Sequence, residues 1–141
     1  MGPQFFIVEQ IAAETALEVT RVALAEGSRL SVAASVAVCD PKMILIAYVH
    51  GDGATPHSAE TSKRKAQTAA STRRATGWMG PDLALTLPLA SGNLLTNVGG
   101  GFPIKFNGTM VGAIGVAGGT VEQDIAIARA ALRAIGADAI E

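Results

Sequence analysis

A chain of 141 residues and 14.3 kDa has the usual size of one domain, expected to span residues 1–141, and can bury about two-thirds of its unfolded surface in one core. Hydrophobic residues make up 49 % and charged residues 16 %, which excludes a disordered chain, whose balance is the reverse. Eleven Lys plus Arg against twelve Asp plus Glu leave a net charge of -1, which excludes a global positive field for nucleic acid or an anionic membrane.

The first residues, Met1-Gly2-Pro3-Gln4-Phe5-Phe6, lack the basic start and long apolar stretch of a secretory signal. Phe6 stands where a myristoylation signal needs Ser or Thr, so a cytoplasmic location is expected. Between Val8 and Ala23 the apolar positions Val8, Ile11, Ala12, Ala16, Val19, Val22 and Ala23 follow the helical period, and Gly27 reads as the C-terminal cap. Leu30 to Cys39 and Met43 to Val49 are rich in Val, Ile and Ala and flank Asp40-Pro41-Lys42, the composition of a tight turn, so a β-hairpin is predicted. Both alternating sets in these strands are apolar, which implies a sheet covered on both faces, by helices or by another subunit. The apolar run Met43 to Val49 is far short of the roughly 20 residues that cross a bilayer as a helix, so no membrane partner is expected. Cys39 is the only cysteine, which forbids an internal disulfide, a multi-cysteine zinc site and a CxxC pair. It reads as a small core residue in a reducing compartment.

The loop His50-Gly51-Asp52-Gly53-Ala54 leads to a helix predicted to start with Thr55 as N-cap and Pro56 as first residue, and to run to about Thr76 before Gly77. From Gly80 to Asn93, prolines and glycine among leucines suit a short helix and loop packed on the core. Phe102 to Phe106 and Thr109 to Val116 flank Asn107-Gly108, the favoured sequence of a two-residue hairpin turn. Thr120 and Gln123 stand at capping-box spacing and open a last helix through Ile125, Ala128, Leu132 and Ile135, ended by Gly136. Two hairpins without a βαβ unit predict an α+β domain, an antiparallel sheet flanked by helices. The 26 alanines suit close helix packing.

Three segments hold residues that a packed core does not need: the loop from His50 to His57, the triplet Gly99-Gly100-Gly101, and the helix start from Gly118 to Asp124. On the helix after Pro56, His57, Thr61, Arg64 or Lys65, Thr68 and Thr72 recur at steps of three and four and form a polar row, a solvated face or a ligand-facing one. Lys63, Arg64, Lys65, Arg73 and Arg74 concentrate five of the eleven basic residues here, which points to a local anion. Helix starts and glycine amides would add donors for carboxylate or phosphate, although the triplet is not a phosphate-loop signature. His50, Asp52 and His57 have metal-ligand chemistry, but two histidines in one loop are more often hydrogen-bonding residues, and no resident metal is expected. His50, His57 or Tyr48 could also serve as an axial ligand to haem. A nucleophile-elbow motif is absent.

The ordered set Val36-Ala37-Val38-Cys39-Asp40, Asp52-Gly53-Ala54, Lys65-Ala66-Gln67-Thr68-Ala69-Ala70, Gly100-Gly101-Phe102-Pro103-Ile104, Gly112-Ala113-Ile114-Gly115-Val116 and Glu122-Gln123-Asp124 resembles the GlcG/HbpS family over nearly the whole chain. The resemblance implies a profilin-like fold, assembly into a homo-oligomer, and a functional range that includes haem binding and companionship with small-molecule catabolic enzymes. Two departures stand out: the first hairpin turn is Pro41-Lys42-Met43 where the family carries glycine, and His50-Gly51 replaces the usual arginine-methionine pair. Residues and resemblance together give a leading expectation, a pocket that holds haem or another organic anion. His50, Asp52, Gly53, His57, Thr61, Arg64, Lys65, Thr68, Gly100, Gly101 and Gln123 would line it. Lys65 and Arg64 would neutralise carboxylates, amides at Gly100 and Gly101 would fix them, and His50 or His57 would meet iron. The alternative is a cofactor-independent enzyme on a small carboxylate, by isomerisation, deamination or elimination, with Asp52 or His57 as general base and Lys65 as electrostatic stabiliser.

Overall fold

The computed structural model describes residues 1–140. Helix α1 (Ala13–Arg29) buries Ala16, Val19 and Ala23, three members of the predicted stripe, but it starts later than Val8 and runs past Gly27. Gly27 is therefore not a cap. A β-carbon there would lie 2.9 Å from the Val32 carbonyl oxygen and 3.1 Å from the Ala34 β-carbon, so glycine lets the departing chain fold back onto the helix. Ser31, at φ 59°, makes the left-handed turn instead.

Strands β1 (Ser35–Cys39) and β2 (Leu45–His50) form the first hairpin. The Asp40 carboxylate accepts the backbone N–H of Lys42 at 2.8 Å and of Ile44 at 3.0 Å, which holds the turn in an Asx-type geometry. Met43, at φ 68°, occupies a left-handed position that glycine would relieve. Helix α2 (Ser58–Thr72) begins three residues after Thr55. Thr55, Pro56 and His57 form a lead-in turn, in which the Ser58 hydroxyl donates to the Thr55 carbonyl at 2.6 Å, so Thr55 is not the cap. The helix ends at Arg73 rather than Thr76, because Thr76 leaves it to pair with Gly101: its N–H donates to the Gly101 carbonyl and its hydroxyl accepts the Gly101 N–H, both at 2.9 Å.

Helix α3 (Pro81–Ala90) buries no residue, so the expected packing of this segment on the core does not occur. Strands β3 (Gly101–Phe106) and β4 (Thr109–Ala117) flank Asn107 and Gly108, both at positive φ, the pair a two-residue hairpin turn requires. Helix α4 (Val121–Ala134) opens with the predicted capping box between Thr120 and Gln123, and Gly136 follows its end at φ 74°.

The four strands form one antiparallel sheet in the order β2-β1-β4-β3, the α+β architecture expected. Helices α1 and α4 pack together on one face over Val36, Val38, Ile104, Ile114 and Val116, and α2 covers the other face. On the α2 side the layer is thin. Ala37, Cys39, Ala66, Ala69, Ala70 and Ala113 fill it, the tight packing that the alanine content foreshadowed. Both faces of β1 are buried, whereas the edge strand β2 is half open, with Leu45 44 % exposed.

Cys39 lies in that thin layer, and burial, reinforced by the charge of Asp40, pushes its thiol up from 9.0 to about 12. The unfolded chain releases this proton above pH 9, while the native chain retains it until about 12. Its contribution to stability is therefore complete below pH 9 and falls by up to roughly 1.4 kcal/mol per pH unit above it. Urea midpoints of Cys39→Ala should decline less between pH 9 and 11 than those of the wild type.

Candidate functional site

Lys65 is the largest side chain buried to this degree, at 1 % exposure. It sits on the sheet-facing side of α2, which lies against β3 and β4 because Gly101 and Gly115 carry no β-carbon. Its ammonium passes Gly100, where a β-carbon would stand 3.0 Å away, and donates to the Val116 carbonyl at 2.7 Å and to the Asp124 carboxylate at 3.0 Å. The second oxygen of Asp124 accepts the Gly119 N–H at 2.9 Å. Burial pushes the Lys65 ammonium below the ordinary lysine value, opposed by the adjacent Asp124 charge. Both polar ends of the pair are hydrogen-bonded, the condition under which a buried ion pair is tolerated.

Above this pair opens a cleft of about 300 Å³ where the start of α2 meets the start of α4. Thr55, His57, Thr61, Lys65, Gly119 and Asp124 border it. The cleft brings the His57 end of the loop together with the Gly118–Asp124 segment, whereas Gly100 lies against the Lys65 ammonium and does not border it. Its charge is not the one expected, because Lys65 is neutralised within the protein by Asp124. His57 is exposed at the rim and makes no capping bond with its side chain.

The other expected residues stand elsewhere. His50 uses both ring nitrogens: one lies 3.2 Å from the Ala54 carbonyl, the other 3.2 Å from the Tyr48 hydroxyl and 3.4 Å from Ser35 Oγ. Ser35 in turn meets Ser62 at 3.2 Å, and the Lys63 ammonium lies 5.3 Å from the Tyr48 ring centre. Asp52 borders a separate hollow toward α1, with Leu24 and Val32, and Gly53 is an exposed turn residue at φ 83°. Arg64 faces the 93–98 segment and pairs with Glu60 at 3.8 Å. Thr68 is not presented to a ligand: its hydroxyl donates to the Arg64 carbonyl at 2.7 Å and accepts the Thr96 N–H at 2.9 Å, fixing that segment to α2. The Gly101 amide is engaged by Thr76, and the Gln123 side chain accepts the Thr120 N–H at 2.9 Å. The basic cluster disperses along and beyond α2, since Lys63 and Arg64 pair with Glu60 while Arg73 and Arg74 border another hollow. Among the described residues no three His, Cys, Asp or Glu side chains are grouped to hold a metal ion.

Two features escaped the sequence reading. Asp124 precedes Ile127, Ala128 and Ala131 at helical spacing, so it occupies the buried stripe of α4, and a charge there signals a buried partner. Tyr48 and His50 alternate along β2 and therefore share one face of the strand.

The family described as haem degrading protein HbpS-like matches residues 11–133 of this chain. An uncharacterized 15.0 kDa protein from the dhaT-dhaS intergenic region of Citrobacter freundii is 40 % identical over 86 residues, an alignment that spans 57 % of this chain and about three fifths, 61 %, of that relative. The crystal structure of Klebsiella pneumoniae protein ORFY is 26 % identical and covers 96 % of this chain and 97 % of its own, with a TM-score of 0.88. The crystal structure of a PduOC:heme complex is also 26 % identical, covers 94 % of this chain and 99 % of its own, and has a TM-score of 0.86.

Proposed function

The chain belongs to the HbpS-like family, and we propose that it is a small-molecule-binding protein that holds haem or another organic anion at the His57 cleft. The observation that carries this reading is the haem bound by PduOC, whose fold this chain shares over nearly its whole length. His57 fits a role toward iron better than His50, because it borders the cleft while His50 lies outside it and has both ring nitrogens within hydrogen-bond distance of other groups of the chain. Thr61 and the lead-in turn at Thr55 supply polar groups beside it. A ligand larger than the cleft would extend over the rim, where Val98 and Val121 are 43 % exposed and offer apolar contact.

Titration of the purified protein with haemin tests this. A Soret shift above that of an unrelated control protein is expected, His57→Ala should weaken it by about tenfold or more, equivalent to 1.4 kcal/mol, and His50→Ala should change it little. No shift, or a shift indifferent to His57, removes the haem reading. Native mass spectrometry of the same sample reads subunit number and bound ligand together. Self-association into a homo-oligomer is part of the proposal, supported by α3, on which Leu85 and Leu89 are 66 % and 65 % exposed. A cytoplasmic location accords with a lone buried thiol; no helix among the described residues is long and apolar enough to cross a membrane.

The enzymatic alternative draws on His57 and Lys65 bordering one cleft. It ranks second because Asp52 borders a different hollow and the Lys65 ammonium is committed to Asp124.

A further inference from the structure

Away from the His57 cleft, a hollow of about 440 Å³ lies where the end of α2 approaches the β3 edge and the segment after α4. We propose that it binds a small organic phosphate, with the phosphate held by Arg73, Arg74 and Lys105 and the carbon part resting on Ala75, Pro103 and Ile140.

Charge carries the argument first. Lys63, Arg64 and Lys65 of α2 each have a carboxylate partner, whereas among the described residues Arg73, Arg74 and Lys105 form no ion pair. Asp138 is the one carboxylate bordering the hollow among the described residues, and its two oxygens already accept the N–H groups of Asn107 at 3.0 Å and Gly108 at 2.7 Å. Among the described residues, three cations against one carboxylate leave an excess of positive charge, which suits a phosphate monoester of roughly -1.5 to -2 better than a monocarboxylate. Arginine forks also suit the several oxygens of a tetrahedral anion.

Preorganisation is the second argument. The Arg74 guanidinium lies 4.4 Å from the Trp78 ring centre, a cation–π distance that restrains where this charge can move. Arg73 is held at φ 60°, an uncommon conformation for a side chain of its size, at the point where α2 turns toward β3. The opposite wall is tied down as well: the Asp138 N–H donates to the Lys105 carbonyl at 2.8 Å, and Arg129 donates to the Ile140 carbonyl at 3.1 Å. None of the residues that border this hollow borders the His57 cleft, so this site stands or falls independently of the haem reading.

Calorimetric titration with phenyl phosphate, inorganic phosphate and benzoate tests the assignment. Phenyl phosphate should bind most tightly, its affinity should fall as salt is raised, and the double variant Arg73→Gly/Lys105→Thr should lose about tenfold or more. Glycine suits the left-handed backbone at position 73 and threonine suits a strand, so the variant should keep its thermal midpoint and its haemin response. If it melts early, Arg74→Gln, which keeps a planar group over Trp78, should show the same loss. Absent binding of phenyl phosphate, equal binding of benzoate, or unchanged affinity in the folded variants would each overturn the proposal.

Discussion

Asp124→Ala is expected to lower stability by about 3–5 kcal/mol, because it leaves the Lys65 ammonium buried with only the Val116 carbonyl as a partner. A domain of this size is usually stable by about 5–15 kcal/mol, so the change removes a large share of the total. Chemical denaturation of wild type and variant measures it. Replacing both members, as Lys65→Met with Asp124→Leu, should recover most of the loss, since the expensive feature is the solitary charge and not the missing attraction. A double variant as unstable as Asp124→Ala would show that the pair is not the source of the loss. The Gly119 N–H, which would lose its acceptor in either variant, limits how complete the recovery can be.

Gly115→Ala should cost roughly 3 kcal/mol, the upper end of what one added methyl usually does in a packed interior. Gly115 lies in β4 between Ala37 of β1 and Gly101 of β3, under the middle of α2. A β-carbon there would collide with the Ser62 carbonyl oxygen and stand 2.5 Å from the Ala66 nitrogen, both backbone atoms that no rotamer change can move. Helix α2 would have to lift from the sheet, carrying Lys65 away from Asp124. Gly80→Ala is the matched control, because nothing lies within 4 Å of a β-carbon there, and it should change stability by less than about 1 kcal/mol. Thermal unfolding of the two variants beside the wild type separates a steric cause from a general effect of replacing glycine.

Local signals were read well wherever they act within a few residues. The Asn107-Gly108 turn, the capping box of Thr120 and Gln123, and the Asp40-Pro41-Lys42 hairpin each depend on hydrogen bonds and φ angles inside one short segment. Helix limits were read less well, and the reason is tertiary. Thr76 has a partner in β3 that no local pattern announces, and Gly27 resembles a cap in sequence yet serves a close approach. Thr68 and Lys65 fall in the polar row along α2, but spacing alone does not distinguish a ligand-facing row from side chains that bind Thr96 and Asp124.

From the chain alone came the α+β class, two hairpins, the family, and the three segments rich in chemistry, because periodicity, turn composition and ordered motifs are written in neighbouring residues. Which charges remain available to a ligand was decided only by the tertiary structure. Lys65 and Asp124 are far apart in sequence and neutralise one another across the core, while Arg73, Arg74 and Lys105 converge on another hollow. The physical reason is that a charge acts over a few ångströms in space, a distance that sequence separation does not encode.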